Sequence, residues 1–376
     1  MFRAGLISLL SGLAISQADA QNTPDTFLYA QANAEYYILS RLDTHAIVLL
    51  GEAHFVRQDE ILIRDVIEAA SPDQLAVFAS ELWPAHEQAL IDRIVTAPEW
   101  DRPAAIGILR RQGWPFEDYL ALMETVWRIN RDRTDDRQIR FIGLGVPGNW
   151  REAFAETGQT YDGFMADRLL AIQAETDGPI LAQMGYHHAF TRYYMPDGFT
   201  DTGRVARFAD RTGNRLYREL GQRVFMISLH ASWNCFDGRR DWRCLPIGGA
   251  VDCAARSLDR SVGFDTNASP FANLPVTGYF YTPGQRGLEF GDMSDGYVWH
   301  TPLAGYQSVS LIPAADYVPD DDALSEARTA NPFGEGFPSS EAFETIWRAE
   351  AEEMADYLDW RRWPEDERNW ASRCGD

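Results

Sequence analysis

A glutamate and a histidine directly follow the first long apolar run of the chain. The run Ala46–Glu52 is apolar up to Gly51, which predicts a buried strand, and His54 comes two residues after Glu52. In an open α/β sheet, ligands bind beyond the carboxyl ends of the strands. A carboxylate and an imidazole in that position can orient and move protons, so this pair predicts one wall of an active site.

Other predicted strands also end on ionisable side chains. The strand Ile139–Val146 is the exception, because it ends in glycines that leave room for close approach by a neighbour. Carboxyl ends of adjacent parallel strands share one edge of the sheet, so the ionisable groups should converge on one cleft. Successive residues of a strand point to opposite faces, so at most one of two neighbouring histidines can reach that cleft. In chain order these groups are Glu81, the pair His187 and His188, and His230.

Apolar runs and helical patterns alternate over most of the chain. The runs are continuous, as in parallel strands covered by helices on both faces, so the predicted fold is an α/β fold with a central, mostly parallel sheet flanked by helices. Besides the first strand, the predicted strands are Leu75–Leu82, Ile139–Val146, Pro179–Gly185, Val224–His230 and Tyr297–His300. The predicted helices are Gln58–Ala70, Pro84 to Val95, a helical insertion at Pro103–Arg111 and Phe116–Asn130, then Tyr161–Ala174 and Arg204–Leu220.

The two ends of the chain differ from this central region. Residues 1–20 have the pattern of a signal peptide, with Arg3, a short apolar core and a small-residue cleavage motif at Ala18-Asp19-Ala20. The core is shorter than the roughly 20 residues that span a bilayer, although an uncleaved anchor stays open as an alternative. We predict one α/β domain over residues 21–376, with a linker at Thr23–Ser40 that runs into a helix, an irregular segment at 313–338 and a C-terminal helix at 341–360.

The formal net charge of -22 limits the class of partner. Binding to polyanions draws its affinity from Lys and Arg, so we expect no nucleic acid and no anionic membrane surface as a partner. After signal cleavage we expect no membrane attachment, and the protein should be exported, periplasmic or secreted. A small molecule or a peptide remains as the expected substrate.

Four cysteines lie in the second half of the chain. An even number in an oxidising compartment favours disulfides, and four cysteines allow three pairings. We favour Cys235–Cys244 as a local loop bridge and Cys253–Cys374 as a tie for the C-terminus. A zinc site is the less favoured alternative, because the sequence contains no Cys-x-x-Cys pair.

The Gly-x-x-His motif occurs twice, at Gly51–His54 and again at Gly185–His188. This doubled motif resembles the superfamily that groups erythromycin esterases, ChaN-like haem-uptake proteins and TIKI/TraB proteases. The intervening Glu81 is followed by a predicted helix that carries Gln88 and Asp92, which also resembles that group. A late Asp-Gly-Tyr-Val-Trp-His-Thr-Pro segment resembles its closing strand, and the resemblance spans Ala46–Pro302.

The resemblance implies roles for four residues of the predicted cleft. His54 and Glu81 match positions associated with catalysis in the esterases, His188 matches the second motif histidine, and Glu52 matches the Glu of the Gly-Glu motif. The chain departs from the esterases at one point, because only Ala53 separates Glu52 from His54, as in the ChaN and TIKI branches. The resemblance therefore leaves the substrate open.

Hydrolysis by activated water is the first functional hypothesis. His54 would act as the general base, oriented by Glu52 or Glu81, and His188 would polarise the electrophile. A covalent acyl-enzyme is not expected, because the chain contains no Gly-x-Ser-x-Gly motif. In a metal-assisted variant His54, His188 and Glu81, or Glu52 in its place, would hold Zn, Mn or Fe with one position left for water.

Haem or iron binding, as in the ChaN branch, is the alternative function that the resemblance implies. Histidine and tyrosine can both serve as axial ligands, and Tyr186, His187 and His230 are the candidates. The sequence contains no Cys-x-x-Cys-His motif. A third alternative is a cleft that binds a small molecule without turnover.

Overall fold

The fold was analysed in a computed structural model of the chain. It describes residues 23–146, 154–200, 204–236, 241–276, 279, 281–330, 345, 349 and 365–374. The predicted signal peptide lies outside the described residues, as does nearly all of the predicted helix at 341–360.

A seven-stranded sheet forms the centre of the molecule. Its strands are β1 Ile47–Glu52, β2 Val77–Pro84, β3 Arg140–Gly145, β4 Ile180–Gly185, β7 Val224–Leu229, β10 Val262–Asp265 and β11 Gly296–Trp299. Two separate hairpins are formed by β5 Pro196–Phe199 with β6 Val205–Phe208, and by β8 Trp233–Phe236 with β9 Asp241–Cys244. The order of strands in the central sheet is β10-β11-β7-β1-β4-β2-β3, and every neighbouring pair is parallel except β10 and β11. The chain moves from β1 to one side, returns to place β4 between β1 and β2, and then crosses to β7.

Helices lie on both faces of this sheet. The α-helices are α1 Pro24–Tyr29, α2 Ala34–Leu42, α3 Arg57–Ala69, α4 Gln88–Thr96, α5 Arg102–Gln112, α6 Glu117–Asn130, α7 Tyr161–Glu175, α8 Thr212–Leu220, α9 Ala250–Ala255, α10 Phe290–Met293, α11 Ala314–Tyr317, α12 Asp321–Ala330 and α13 Glu365–Arg368. Short 3₁₀ turns occur at Ala85–Glu87, Asp135–Arg137, Gly221–Arg223, Pro246–Gly249, Thr266–Ala268, Leu303–Gly305 and Trp370–Arg373.

The alternation of side chains along β1 produces two separate cores. Val48 and Leu50 pack on the side of α3, α5 and α6, whereas Ile47 and Leu49 pack on the side of α7 and α8. All of β1 is buried, which is why its sequence is continuously apolar. Glu52 continues the first of these series, so its carboxylate points beneath α3 and α6.

The structure confirms the predicted α/β class with a mostly parallel sheet. The five strands predicted between residues 46 and 230 are present, with ends within two residues of the predicted ones. Both predicted disulfides are present, Cys235–Cys244 with a Cα–Cα distance of 5.9 Å and Cys253–Cys374 with 5.3 Å. Among the described residues, no helix is long and apolar enough to cross a membrane.

Four predictions of local structure were wrong. The predicted helix Arg204–Leu220 begins only at Thr212, because residues 205–208 pair with β5 as a hairpin strand. Pro84 ends β2 instead of opening a helix, and the helix there starts at Gln88. The segment 313–338 is not wholly irregular, since it contains α11 and α12. The linker at Thr23–Ser40 contains α1, and the predicted helix that it runs into is α2, which begins inside it at Ala34.

Candidate active site

The Glu52–His54 pair lies at the carboxyl end of the central strand β1. Glu52 Oε1 lies 2.6 Å from His54 Nδ1. The side chain of Glu52 is fully buried and that of His54 is 27% exposed. The carboxylate therefore anchors the ring from inside the protein, while the ring remains partly exposed.

The backbone at Phe55, directly after His54, has an unusual conformation. Phe55 has a φ of 78°, in the left-handed region that large side chains rarely adopt. Its N–H donates to the Tyr119 hydroxyl over 3.0 Å, and its carbonyl accepts from the Val309 N–H over 3.0 Å. The Trp114 ring lies 5.5 Å from the His54 ring. Strained backbone held by such contacts is typical of functional sites.

Glu81 lies at an irregularity in β2, where the register with β3 shifts between Ser80 and Pro84. Its Oε2 accepts the backbone N–H of Gly185 at the end of β4, over 2.7 Å. A Cβ on Gly185 would lie 3.0 Å from His54 Nε2 and 3.6 Å from Glu81 Oε2. The glycine of the second Gly-x-x-His motif therefore makes room for the histidine of the first.

His188 approaches Glu81 from the other side of the cleft. Its Nε2 lies 3.5 Å from Glu81 Oε1, and its Nδ1 lies 2.7 Å from Asp162 Oδ1. The Tyr161 hydroxyl also hydrogen-bonds to the Glu81 carboxylate. Glu81 thus lies between the two motif histidines and accepts hydrogen bonds from β4 and α7.

The charges around the two histidines favour their protonated forms. Burial acts to lower the pKa of His54, but the charge and hydrogen bond of Glu52, with a smaller contribution from Glu81, outweigh it and raise the pKa to about 9. Burial likewise opposes protonation of His188, and the carboxylates of Glu81 and Asp162 raise its pKa. The pKa of Asp162 is lowered although burial would raise it, because His188 donates to this carboxylate.

Two of the three residues predicted to bind a cofactor make their hydrogen bonds outside this arrangement. Tyr186 is buried, shares a hydrogen bond of 3.0 Å with Ser228, and burial raises its pKa. His230 is fully buried between the Tyr297 hydroxyl at 2.7 Å and Asp252 at 3.1 Å. The third candidate, His187, stacks on the His188 ring at 4.1 Å. Tyr186 and His230 are thus bonded inside the core, and no observation favours them as axial ligands.

The residues of the metal-assisted variant do not assemble as a metal site. Across the part of the chain that the structure describes, no group of three or more His, Cys, Asp or Glu side chains is arranged to hold a metal ion. His54 and His188 each use Nδ1 for a carboxylate, and Nε2 of His188 faces Glu81 at 3.5 Å.

Several residues of the site carried no recognisable signal in the sequence. Tyr161 and Asp162 occupy the first turn of a helix, where an acidic residue is usually only a favourable charge. The His300 side chain is 6% exposed, with Nε2 2.8 Å from Asp59 Oδ1. Gln88 is structural, since its side chain bonds to Asp92 and to the Phe141 carbonyl.

The predicted role of the glycines at the end of β3 is confirmed. A Cβ on Gly143 would lie 2.7 Å from the Pro84 carbonyl oxygen, and one on Gly145 would lie 2.4 Å from the Glu81 carbonyl oxygen. Side chains at these positions would push β3 away from the irregular end of β2. The glycines therefore permit the β2 geometry that presents Glu81.

Comparison with known proteins yields similarity at the level of structure. No family model and no curated protein matches the chain. Similar solved structures include an erythromycin esterase mutant in its open conformation (11% identical, TM-score 0.45, covering 70% of this chain and 92% of that one). They also include ChaN of Campylobacter jejuni with cofacial haem (10%, 0.37, 74% and 95%) and a succinoglycan biosynthesis protein (11%, 0.46, 69% and 88%).

Two of the three kinds of protein that the doubled motif resembles are thus among the similar structures. TM-scores below 0.5 at such identities carry no argument about activity. The site must be interpreted from its own residues.

Proposed function

We propose that this chain is an exported hydrolase that activates water for attack on an ester or amide carbonyl. The observation that carries the proposal is the Glu52–His54 pair, in which a buried carboxylate orients Nδ1 at 2.6 Å while the ring is partly exposed. A carboxylate-oriented imidazole at the carboxyl edge of a parallel sheet suits general base catalysis. The two disulfides suit an oxidising compartment outside the cytoplasm.

The reaction follows from the positions of the side chains. His54 Nε2 takes a proton from water as the water oxygen attacks the carbonyl carbon. Protonated His188 or the Tyr161 hydroxyl donates to the oxygen that becomes negative. When the tetrahedral species collapses, the imidazolium of His54 returns its proton to the leaving oxygen or nitrogen. Glu52 stabilises that imidazolium throughout.

The test is a substrate panel applied to the purified protein and four variants. We expect wild type to hydrolyse at least one compound among p-nitrophenyl esters of increasing chain length and a set of unmodified peptides. His54→Ala, Glu81→Gln and His188→Ala should each lose most of that activity. His45→Ala is the matched control, because this histidine precedes β1 and so lies at the opposite edge of the sheet from His54 and Glu81.

Circular dichroism and thermal melting would show that each variant is folded. A wild-type protein that turns over no compound of the panel contradicts the proposal. So does full activity in folded variants of His54 and His188. A strong Soret band in protein grown with iron would instead favour the haem-binding alternative.

A further inference from the structure

Asp162 is the buried carboxylate next to His188. It lies in the first turn of α7, and its Oδ1 is 2.7 Å from His188 Nδ1. Asp162 is 26 residues from His188 in the chain, and neither Gly-x-x-His motif contains it. The contact therefore depends on how α7 packs against the end of β4.

The residues at the start of α8 hold Asp162 in place. The Thr212 N–H donates to Oδ1 over 2.9 Å, and the Thr212 hydroxyl lies 3.0 Å from the same oxygen. Arg211 binds the other oxygen, Oδ2, at 3.2 Å. The start of α8 is itself docked on the His188 loop, because the Gly213 N–H donates to the His188 carbonyl over 2.9 Å.

We propose that Asp162 is a positioning residue that fixes the ring orientation of His188. Its carboxylate accepts the Nδ1 proton, so Nε2 is the nitrogen that faces Glu81 and the cleft. A carboxylate on one ring nitrogen determines what the other nitrogen presents to a substrate. Asp162 does the same for His188 as Glu52 does for His54, although it comes from another part of the chain.

A purely structural role for Asp162 would have different consequences. Since Oδ1 also accepts the Thr212 N–H, Asp162 could serve only to cap the start of α8. Loss of a cap would lower the free energy of unfolding but would leave the hydrogen bond of the His188 ring unchanged. A direct observation of the Nδ1 proton therefore separates the two roles.

The experiment is ¹H–¹⁵N NMR of the full chain labelled at histidine, with and without Asp162→Asn. We expect two downfield Nδ1 protons, assigned by their loss in His54→Gln and His188→Gln. In Asp162→Asn the His188 proton should move upfield or disappear, because an amide can donate to Nδ1. The His54 proton is an internal reference and should stay in place. The matched control is Asp167→Asn, an exposed aspartate on the same helix that accepts from Gln159.

Kinetics with any ester or peptide that wild type hydrolyses gives the second measurement, and this part rests on the proposed function. Asp162→Asn should lower kcat by roughly tenfold to 10²-fold, no more than His188→Ala does, with KM little changed, because Asp162 orients a catalytic group and touches no substrate. Thr212→Val removes one donor to Asp162 and should move the His188 proton in the same direction by less. That variant supplies the answer if Asp162→Asn does not fold.

The outcomes distinguish this proposal from the hydrolase assignment. An unchanged His188 proton in the folded variant shows that Asp162 is only a helix cap, and the proposal is then wrong. A shifted proton in a protein that hydrolyses nothing confirms the positioning role and contradicts the hydrolase assignment instead.

Discussion

The two carboxylate–histidine pairs of the site are built in different ways. Glu52 and His54 lie two residues apart at the end of one strand, and their 2.6 Å contact is local. Asp162 and His188 come from a helix and a strand end, and their 2.7 Å contact depends on tertiary packing. A short motif in the sequence can therefore specify the first pair completely but only half of the second.

The surroundings of the two carboxylates also differ. Glu52 Oε1 lies 2.6 Å from His54 Nδ1, and among the described residues Glu52 Oε2 has no hydrogen-bond partner. Asp162 shares its charge with Arg211 and with the start of α8, and Arg211 acts to lower the pKa of His188. The carboxylate beside His188 is therefore shared among more partners than the carboxylate beside His54.

Removal of either histidine should produce the largest effect. We expect His54→Ala to lower kcat by about 10² to 10⁴, the usual contribution of a positioned base, and His188→Ala to lower it less. If the two histidines act as a unit, the double variant should be no worse than His54→Ala alone. The measurement is kcat for the three variants on one substrate. Strictly multiplicative losses would show that the pairs act independently.

Removal of the charge of Glu52 should change the pH profile as well as the rate. Burial acts to lower the pKa of His54, but the charge and hydrogen bond of Glu52 outweigh burial and raise this pKa to about 9. A general base works in its deprotonated form, so activity should rise with pH up to about pH 9. In Glu52→Gln burial should dominate, and the midpoint of the rise should move to lower pH while the maximal rate falls by about tenfold or more.

The pH dependence of kcat/KM gives the midpoint, and NMR titration of the His54 ring gives the same value without a substrate. Asp43→Asn, a change on the protein surface at the end of α2, is the control and should leave the midpoint in place. An upward shift in Glu52→Gln would show that another group governs the profile.

The contrast between the pairs also explains how much the sequence could predict. The buried strands and their ionisable ends follow from continuous apolar runs, which made β1, β2 and β4 and the residues Glu52, Glu81 and His188 predictable. Asp162 was not predictable, because an acidic residue in a first helical turn has an ordinary explanation in the helix dipole. Its function depends on which strand end the helix packs against, and that is a long-range property.

The same limit applies to the edges of the fold. The antiparallel strand Val262–Asp265 is only four residues long, and the hairpin strand at Val205–Phe208 is mostly exposed, so neither has a strong apolar pattern. Tertiary pairing rather than local preference decides such strands. The central strands were predictable because they are fully buried, and these two peripheral strands were not.

A substitution at Gly185 tests whether the His54 ring can be displaced without a change at His188. A Cβ there would lie 3.0 Å from His54 Nε2 and 3.6 Å from Glu81 Oε2, so Gly185→Ala should displace the His54 ring by a few tenths of an ångström. The Gly185 backbone does not have a positive φ, and its N–H would still donate to Glu81, so the fold should tolerate alanine. Since a small misplacement of a reacting group lowers the rate, we expect a loss of roughly tenfold in kcat with the His188 resonance unchanged.

Gly178→Ala is the control for a glycine change that crowds its neighbours. This glycine lies at the turn before β4, far from the cleft, and its Cβ would lie 2.5 Å from the Ala76 Cβ. Equal losses in the two variants would mean that crowding of the sheet, and not displacement of His54, explains the effect.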